Sequence, residues 1–165
     1  MPPPSHSPTA IAIDVLIEAG DWPDESAVRA LAERAVAATV AELGHVREGP
    51  CELSLVFSND ARIARLNADW RGKERATNVL SFPAAQLAQG ASLPPLLGDI
   101  VLAAETVARE AKLEGKPLEH HIAHLITHGL LHLIGYDHEA EAEAEAMEAT
   151  ERRVLARLAI PDPYA

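Results

Sequence analysis

The sequence has a single cysteine, few aromatic residues and no long apolar run. Cys51 has no second cysteine to pair with, so an internal disulfide is excluded. Aromatic residues make up 4% of the chain, which leaves leucine, isoleucine, valine and alanine to fill most of the core. A membrane-spanning helix needs about 18 or more consecutive apolar residues, and the sequence contains no such stretch. These absences argue against a disulfide-rich secreted scaffold and against a membrane protein.

The first ten residues contain no lysine or arginine and no apolar segment, so they do not resemble a signal peptide. They include four prolines, and we expect residues 1–9 to form a disordered lead. The remaining chain, 10–160, is long enough for one domain with a substantial hydrophobic core. The lack of disulfides, of a membrane span and of a signal peptide predicts a cytoplasmic protein.

Acidic residues outnumber basic ones by 25 to 14, and the net charge is −11. Such a charge disfavours indiscriminate binding to nucleic acid. However, the segment 62–75 holds five basic residues against two acidic ones, whereas 139–151 holds six glutamates and no basic residue. We interpret the alternating Glu-Ala start of the last helix as a solvated face and the basic segment as the place where a phosphate backbone can bind. The cations of the basic segment are Arg62, Arg65, Arg71, Lys73 and Arg75.

Hydrophobic periodicity and turn residues predict the element order β-α-β-α-β-β-α-α-α. Strands are predicted at 10–18, 52–57, 77–83 and 97–103. Helices are predicted at 22–43, from 58–60 onwards, at 105–114, at 117–134 with Pro117 in the first turn, and at 139–158. This order indicates a single α+β domain in which a mixed four-stranded sheet packs against helices. Trp70 is predicted to join Ile63 and Leu66 on the buried face of the second helix, and loop 84–95 to be a lid or a simple connector.

The segment 127–138 carries three histidines with the spacing His-x-x-x-His-x-x-Gly-x-x-His. On a helix, His128 and His132 lie one turn apart on the same face, so both imidazoles can reach one point. Gly135 then ends the helix, and the following turn can bring His138 to the same point. Three neutral imidazoles with an open position form the ligand set of a catalytic zinc rather than of a closed structural one. The alternative is that these histidines only pack or face solvent.

Residues next to the histidines bear on the chemistry of the site. The spacing equals the ligand pattern of metzincin peptidases, except that Gly129 replaces the glutamate that acts as general base. Because general-base catalysis contributes roughly 10²–10⁴-fold in rate, this replacement disfavours a peptidase. His124 lies one turn before His128, and we expect it to support the site indirectly or to pack in the core. Asp137 either orients one imidazole as a hydrogen-bond acceptor or serves as a turn residue.

The histidine motif, taken with three shorter ones, closely resembles the YbeY family of bacterial endoribonucleases. The shorter motifs are Leu66-Asn67-Ala68-Asp69-Trp70-Arg71, Thr77-Asn78-Val79-Leu80-Ser81-Phe82-Pro83 and Leu97-Gly98-Asp99-Ile100. They follow the order of the family, and the resemblance covers roughly 53–151. It implies a single-strand-specific, metal-dependent endoribonuclease of the cytoplasm. The implied role is ribosomal RNA maturation, notably at the small-subunit 3′ end, and ribosome quality control.

The resemblance also implies site residues and partners. One zinc ion per chain would be held by His128, His132 and His138, and the functionally important arginine of the family maps onto Arg71. Asn78 stands where many members have aspartate, so we assign it no catalytic role. The implied partners are a ribosomal RNA precursor, the small ribosomal subunit with its proteins, and a ribosome-associated GTPase.

We therefore expect RNA cleavage in a cleft between the strand at 77–82 and the motif helix. A zinc ion there would activate water and stabilise the phosphoryl charge, and Arg71 would clamp the phosphate with paired donors. Lys73 is a further candidate for contact with the substrate. Two other functions fit the same ligands: a zincin-like metallopeptidase, and a non-catalytic ribosome assembly factor with a structural metal.

Overall fold

Four strands form one mixed sheet. The computed structural model describes residues 11–44, 50–71, 77–137 and 139–165. For Arg71 it describes only the backbone. The lead predicted at 1–9 therefore lies outside the described residues. The strands lie in the order β1-β2-β4-β3. β1, β2 and β4 are parallel, whereas β3 at the edge is antiparallel to β4. Their bounds are β1 Ile11–Ile17, β2 Cys51–Ser58, β3 Val79–Pro83 and β4 Leu96–Ala103.

Helices connect and cover the sheet in the order that the sequence predicts. Their bounds are α1 Glu25–Leu43, α2 Asp60–Arg71, α3 Ala104–Glu114, α4 Leu118–Leu133 and α5 Glu141–Arg157. Parallel strands require a crossover connection, which α1 provides between β1 and β2. The α+β class and the mixed four-stranded sheet are confirmed, and the element bounds differ from the predicted ones only near their ends. None of the helices within the described ranges has the length and apolar character needed to cross a membrane.

The sheet separates a large core from a small one. On one face of β2, Leu53, Leu55 and Phe57 are fully buried and belong to a cluster with residues of α1 and α4. Because side chains alternate along a strand, Val56 points to the other face. There a smaller cluster joins Ile63 of α2 to residues of β3 and β4. Helix α4 therefore lies in the larger core, packed against the sheet and against α1, α3 and α5.

Two details of the predicted helices were wrong. Trp70 is 72% exposed rather than buried. Ile63 already fills the space beneath α2, and the indole of Trp70 lies against Phe82 with ring centroids 6.0 Å apart. Pro117 precedes α4 instead of occupying its first turn. Its backbone is extended, with a ψ of 142°, and its carbonyl oxygen accepts a hydrogen bond from the amide of His121.

Candidate active site

Two histidines face each other in the C-terminal half of α4. His128 and His132 lie one helical turn apart, and their Nε2 atoms are 3.1 Å from each other. Their ring centroids are 4.6 Å apart. The helix is fixed against the core by fully buried residues that include Ile122, Ile126 and Leu130. The side chain of His128 is 25% exposed, so the pair can be reached from outside.

Each imidazole is oriented by an oxygen atom behind it. His128 donates from Nδ1 to Oε1 of Glu151 at 2.7 Å, and His132 donates from Nδ1 to the carbonyl oxygen of Tyr136 at 3.1 Å. A neutral imidazole that is protonated at Nδ1 carries an acceptor lone pair at Nε2. Two such lone pairs converge here, and they repel each other unless a proton or a metal ion lies between them. The donor set therefore fits two nitrogen ligands of one metal ion.

The turn after α4 supplies the second of these oxygen atoms. The amide of Gly135 donates to the carbonyl oxygen of His132 at 3.2 Å, and the amide of Tyr136 donates to that of Leu131 at 2.9 Å. This pair of bonds is the Schellman ending of a helix, which requires a positive φ at the residue after it. Gly135 has a φ of +107°, and a Cβ there would lie 2.6 Å from the carbonyl oxygen of Leu87. Glycine is thus needed for the turn and for the approach of the loop that follows β3.

A cleft of about 710 Å³ opens beside the histidine pair. The cleft lies between the edge strand β3, the first part of loop 84–95 and the end of α4. The sequence predicts a cleft between the same strand and the same helix. Leu93 of the loop is 1% exposed and joins the large core, so the loop is anchored as a wall. The polar residues along the cleft are Thr77, Asn78, Ser81, Gln86, His128, His132, Tyr136, Asp137 and Glu139.

Glu151 of α5 is a fully buried acceptor beneath the histidine pair. Besides His128, it contacts Nε2 of His124 at 3.3 Å and accepts a hydrogen bond from the hydroxyl of Tyr164 at 2.7 Å. Burial raises the pKa of the Glu151 carboxyl, but the hydrogen bonds from His124 and His128 outweigh burial and bring this pKa to about 2. Glu151 is therefore ionised and holds a hydrogen on Nδ1 of His128. Burial and the nearby Glu151 raise the pKa of Tyr164, so its phenol stays protonated and donates.

Sequence reasoning missed Glu151 because it counted this residue only as part of an acidic segment. The sequence does contain a signal for its burial. Met147, Glu151, Val154 and Leu155 follow helical spacing, and all four are buried on one stripe of α5. A carboxylate within an apolar stripe indicates a buried hydrogen-bonding or charged partner.

Comparison with known proteins shows which family shares this sequence. A family model described as endoribonuclease YbeY matches residues 17–159. The chain belongs to the endoribonuclease YbeY family. This confirms the resemblance that the sequence motifs indicate.

Individual members of the YbeY family match nearly the whole chain. The endoribonuclease YbeY of Chelativorans sp. (strain BNC1) is 52% identical over 161 residues, which cover 96% of this chain and 96% of the relative. That of Rhizobium meliloti (strain 1021) is 48% identical over 161 residues, which cover 94% of this chain and 96% of the relative. That of Rhodopseudomonas palustris (strain BisA53) is 51% identical over 156 residues, which cover 93% of this chain and 90% of the relative.

The solution structure of TM1509 from Thermotoga maritima resembles this chain in fold. The TM-score is 0.55, and the match covers 89% of this chain and 91% of the other. The sequences are 23% identical, so the likeness concerns the fold alone.

Several site residues predicted for this YbeY family chain lie outside the described residues. His138, the predicted third ligand, and Lys73 are outside the described ranges, and so is the side chain of Arg71. Asp137, which precedes His138, lines the cleft. Within the described ranges, no three histidine, cysteine, aspartate or glutamate side chains are grouped so that they could hold a metal ion. The described part of the predicted metal centre is the pair His128 and His132.

Helix position 129 of this YbeY family chain faces the sheet. A Cβ on Gly129 would lie 2.9 Å from Cγ2 of Ile100 and 3.1 Å from Oγ of Ser81. The hydroxyl of Ser81 donates to the carbonyl oxygen of Gly129 at 3.2 Å, which ties β3 to α4 at this point. A glutamate here does not fit unless the helix moves away from the sheet. The structure therefore gives no room to the general base on which the peptidase alternative depends.

His124 and Asn78 lie at the margin of the site. Nε2 of His124 is 3.3 Å from the hydroxyl of Tyr164 and 3.3 Å from Glu151, and its ring centroid is 6.4 Å from that of His128. It thus contacts the histidine pair through Glu151. Asn78 donates from Nδ2 to Oε1 of Glu110 at 3.0 Å, so its amide connects the start of β3 to α3.

Proposed function

We propose that this chain is a zinc-dependent, single-strand-specific endoribonuclease of the cytoplasm. Its proposed role is the maturation of ribosomal RNA, notably at the small-subunit 3′ end, and ribosome quality control. The observation that carries the proposal is the His128–His132 pair, whose Nε2 atoms converge at 3.1 Å beside a cleft. The relatives at about 50% identity are named endoribonuclease YbeY, which supports RNA as the substrate class.

The residues that would hold one zinc ion per chain are His128, His132 and His138. Bound zinc would supply a Lewis acid that activates water and stabilises negative charge on a phosphoryl oxygen. The protein's own contribution is orientation, because Glu151 and the carbonyl of Tyr136 hold both described imidazoles in the Nδ1–H form. That form leaves Nε2 as the ligand atom.

The residues that would hold the RNA lie at the end of α2 and along the cleft. We propose that Arg71 clamps the scissile phosphate, since a guanidinium offers paired donors to two phosphate oxygens. Lys73 adds a cation two residues further along the sequence, and Asp137, which precedes the proposed third ligand in the sequence, lines the cleft. The proposed partners are a ribosomal RNA precursor, the small ribosomal subunit with its proteins, and a ribosome-associated GTPase.

The test measures bound zinc and cleavage of a single-stranded RNA in the same preparations. Wild type should bind about one zinc per chain and cleave the RNA, because three imidazoles complete a catalytic site. His132→Ala should lose both zinc and cleavage. Arg71→Glu should keep its zinc and its fold but lose cleavage. The matched control is Arg34→Glu, the same charge reversal at an exposed position of α1 outside the basic segment, which should retain most of the activity.

The outcomes separate the alternatives. Cleavage at full rate in Arg71→Glu would show that our role for Arg71 is wrong. A wild type that binds zinc and RNA but cleaves nothing would indicate an assembly factor with a structural metal. A folded wild type that takes up no zinc when zinc is supplied would overturn the proposed metal centre.

A further inference from the structure

The C-terminal residues fold back over α5 and reach the carboxylate that orients His128. Oδ2 of Asp162 lies 3.1 Å from Nε of Arg152, and Oδ1 accepts a hydrogen bond from the amide of Tyr164 at 2.8 Å. The guanidinium carbon of Arg152 lies 5.3 Å from the centroid of the Tyr164 ring. These contacts hold the tail against the helix and fix the position of the tyrosine.

Tyr164 directs its hydroxyl at the buried Glu151. The hydroxyl donates to Oε2 at 2.7 Å, while Oε1 of the same carboxylate accepts from Nδ1 of His128 at 2.7 Å. The tyrosine ring also packs edge-on against His124, with centroids 5.5 Å apart. Each oxygen of the carboxylate is thus fixed by its own hydrogen bond. A carboxylate held at both oxygens resists rotation, and so does the imidazole that donates to it.

We propose that Tyr164 is a positioning residue for His128 and acts through Glu151. Its hydroxyl holds the carboxylate in the rotamer that meets Nδ1 of His128, so that Nε2 stays directed at the point it shares with His132. The consequence for zinc binding rests on the proposed function. The orientation of His128 can also be measured in metal-free protein, independently of zinc binding.

Tyr164 lies beyond the residues that the family model matches. The YbeY family model ends at residue 159, whereas the tail contacts come from Asp162 and Tyr164. Tyr164 is 39% exposed, because its ring lies at the surface while only its hydroxyl reaches inward. Removal of that hydroxyl therefore changes the hydrogen bond and leaves the apolar core intact.

The test compares the full-length wild type with Tyr164→Phe, which removes one hydroxyl and keeps the ring. In the metal-free proteins, imidazole ¹⁵N–¹H spectra report the tautomer of His128 and the exchange of its Nδ1 hydrogen with solvent. We expect the Nδ1–H form in the wild type and faster exchange of this hydrogen in the variant. A titration with zinc alone should show about tenfold weaker binding, at the lower end of the range for partners of metal ligands.

Two further variants serve as controls. Arg157→Gln, on the same helix as Glu151, removes an ion pair between Nε of Arg157 and Oε2 of Glu42 on α1, at 2.8 Å, and should leave both readouts unchanged. Glu151→Gln replaces the carboxylate by a neutral amide, which is a weaker acceptor for Nδ1 of His128, and should weaken zinc binding by roughly 10- to 100-fold. Addition of Tyr164→Phe to Glu151→Gln should cause little further loss, because both act through one chain of hydrogen bonds.

An unchanged His128 spectrum and an unchanged zinc affinity in Tyr164→Phe would overturn the proposal, and so would losses that add in full to those of Glu151→Gln. If the wild type binds no zinc, the proposed function fails, while the metal-free spectra still decide whether Tyr164 orients His128. If Tyr164→Phe does not fold, Arg152→Gln loosens the same tail from outside. Faster exchange of the His128 hydrogen in that variant supports the proposal, and unaltered exchange contradicts it.

Discussion

Gly129 has no side chain beyond a hydrogen atom, and this allows α4 to pack closely against the sheet. Alanine in place of glycine within a helix usually stabilises a protein by about 0.5–1 kcal/mol. At this position a Cβ would meet Ile100 at 2.9 Å, and overpacking of a core costs about 1–3 kcal/mol. We therefore predict that Gly129→Ala lowers the free energy of unfolding by about 1 kcal/mol, measured by chemical denaturation.

A double-mutant cycle provides the control for this prediction. Ile100→Val removes the Cδ1 atom, which would lie 3.1 Å from the new Cβ. It should cost less in the Gly129→Ala background than in the wild type, because it relieves the crowding there. A gain in stability for Gly129→Ala would mean that the helix can move away from the sheet at little cost. Gly129→Glu should destabilise the protein further and should produce no peptidase activity.

His121 makes the stability of the protein depend on pH. It is 4% exposed, its Nε2 lies 2.8 Å from Oε1 of Glu110, and its buried Nδ1 has no hydrogen-bond partner among the described residues. Burial lowers the pKa of His121 below its ordinary value of 6.5, although the hydrogen bond to Glu110 opposes this. The unfolded chain thus binds a proton near pH 6.5 that the folded chain does not yet bind. Stability due to His121 is present above pH 6.5 and is lost as the pH falls through the folded pKa.

Replacement of His121 by glutamine removes this dependence on pH. Glutamine at 121 keeps a donor for Glu110 but cannot titrate, so His121→Gln should lose less unfolding free energy than the wild type between pH 7 and pH 5. Urea denaturation of both proteins at the two pH values measures the difference. Equal losses would mean that His121 has the same pKa in the folded and unfolded chains.

The relative position of functional side chains could be predicted where it depends on spacing within one helix. The four-residue spacing of His128 and His132 puts their rings on one face, and the structure places their Nε2 atoms 3.1 Å apart. The role of Glu151 could not be predicted in this way, since its contact with His128 joins two helices and spans 23 residues of sequence. Tyr164 depends on the path of the tail, which no periodic pattern specifies.

At the scale of elements, the ends of α3 and α4 offer a matched pair of glycines. Both helices end in the same two backbone hydrogen bonds, with Gly115 and Gly135 in the equivalent position. At Gly115, with a φ of +65°, a Cβ would meet nothing within 4 Å. At Gly135, with a φ of +107°, a Cβ would lie 2.6 Å from the carbonyl oxygen of Leu87. The two positions thus share the turn but differ in the space around it.

We predict that alanine is tolerated at one of these turns and not at the other. Gly115→Ala should cost about 1–2 kcal/mol, the penalty for a left-handed alanine. Gly135→Ala should cost about 2–4 kcal/mol because the collision adds to that penalty, and it should also weaken zinc binding, since the turn carries the Tyr136 carbonyl that orients His132. Denaturation and zinc titration measure both effects. Equal costs at the two glycines would show that the loop at Leu87 yields freely.

The order of the elements was predictable because each element has its own hydrophobic period and its own end signals. The second helix, for example, was predicted from 58–60 onwards, and Oδ1 of Asn59 accepts a hydrogen bond from the amide of Arg62 at 2.8 Å, as a capping residue does. Trp70 was misplaced because periodicity gives the face of a helix and not the area that a sheet can cover. Ile63 and Leu66 already occupy the covered part of α2.

At the scale of the whole molecule, the net charge of −11 repels RNA from most of the surface. The fold puts the part of the basic segment that lies in α2 on one side, because α2 packs on the face of the sheet opposite to α1. Arg62 lies 3.7 Å from Glu18, whereas Arg65 is exposed. RNA held at this segment can therefore contact at most the five cations that it contains.

The number of cations in the basic segment limits how steeply RNA affinity can fall as the salt concentration rises. Each phosphate of a single strand that a cation contacts contributes about −0.7 to the slope of log K against log salt concentration, so five cations give a slope no steeper than about −3.5. Fluorescence anisotropy of a labelled single-stranded RNA, in the absence of metal so that the RNA stays intact, measures this slope. Arg65→Ala should make it shallower by about 0.7 if that side chain contacts a phosphate.

The matched control is Arg29→Ala on α1, which removes an exposed ion pair with Glu25 and should leave the slope unchanged. A slope of about −6 or steeper would mean that phosphates bind outside this segment, and the basic segment would then not be the RNA-binding surface.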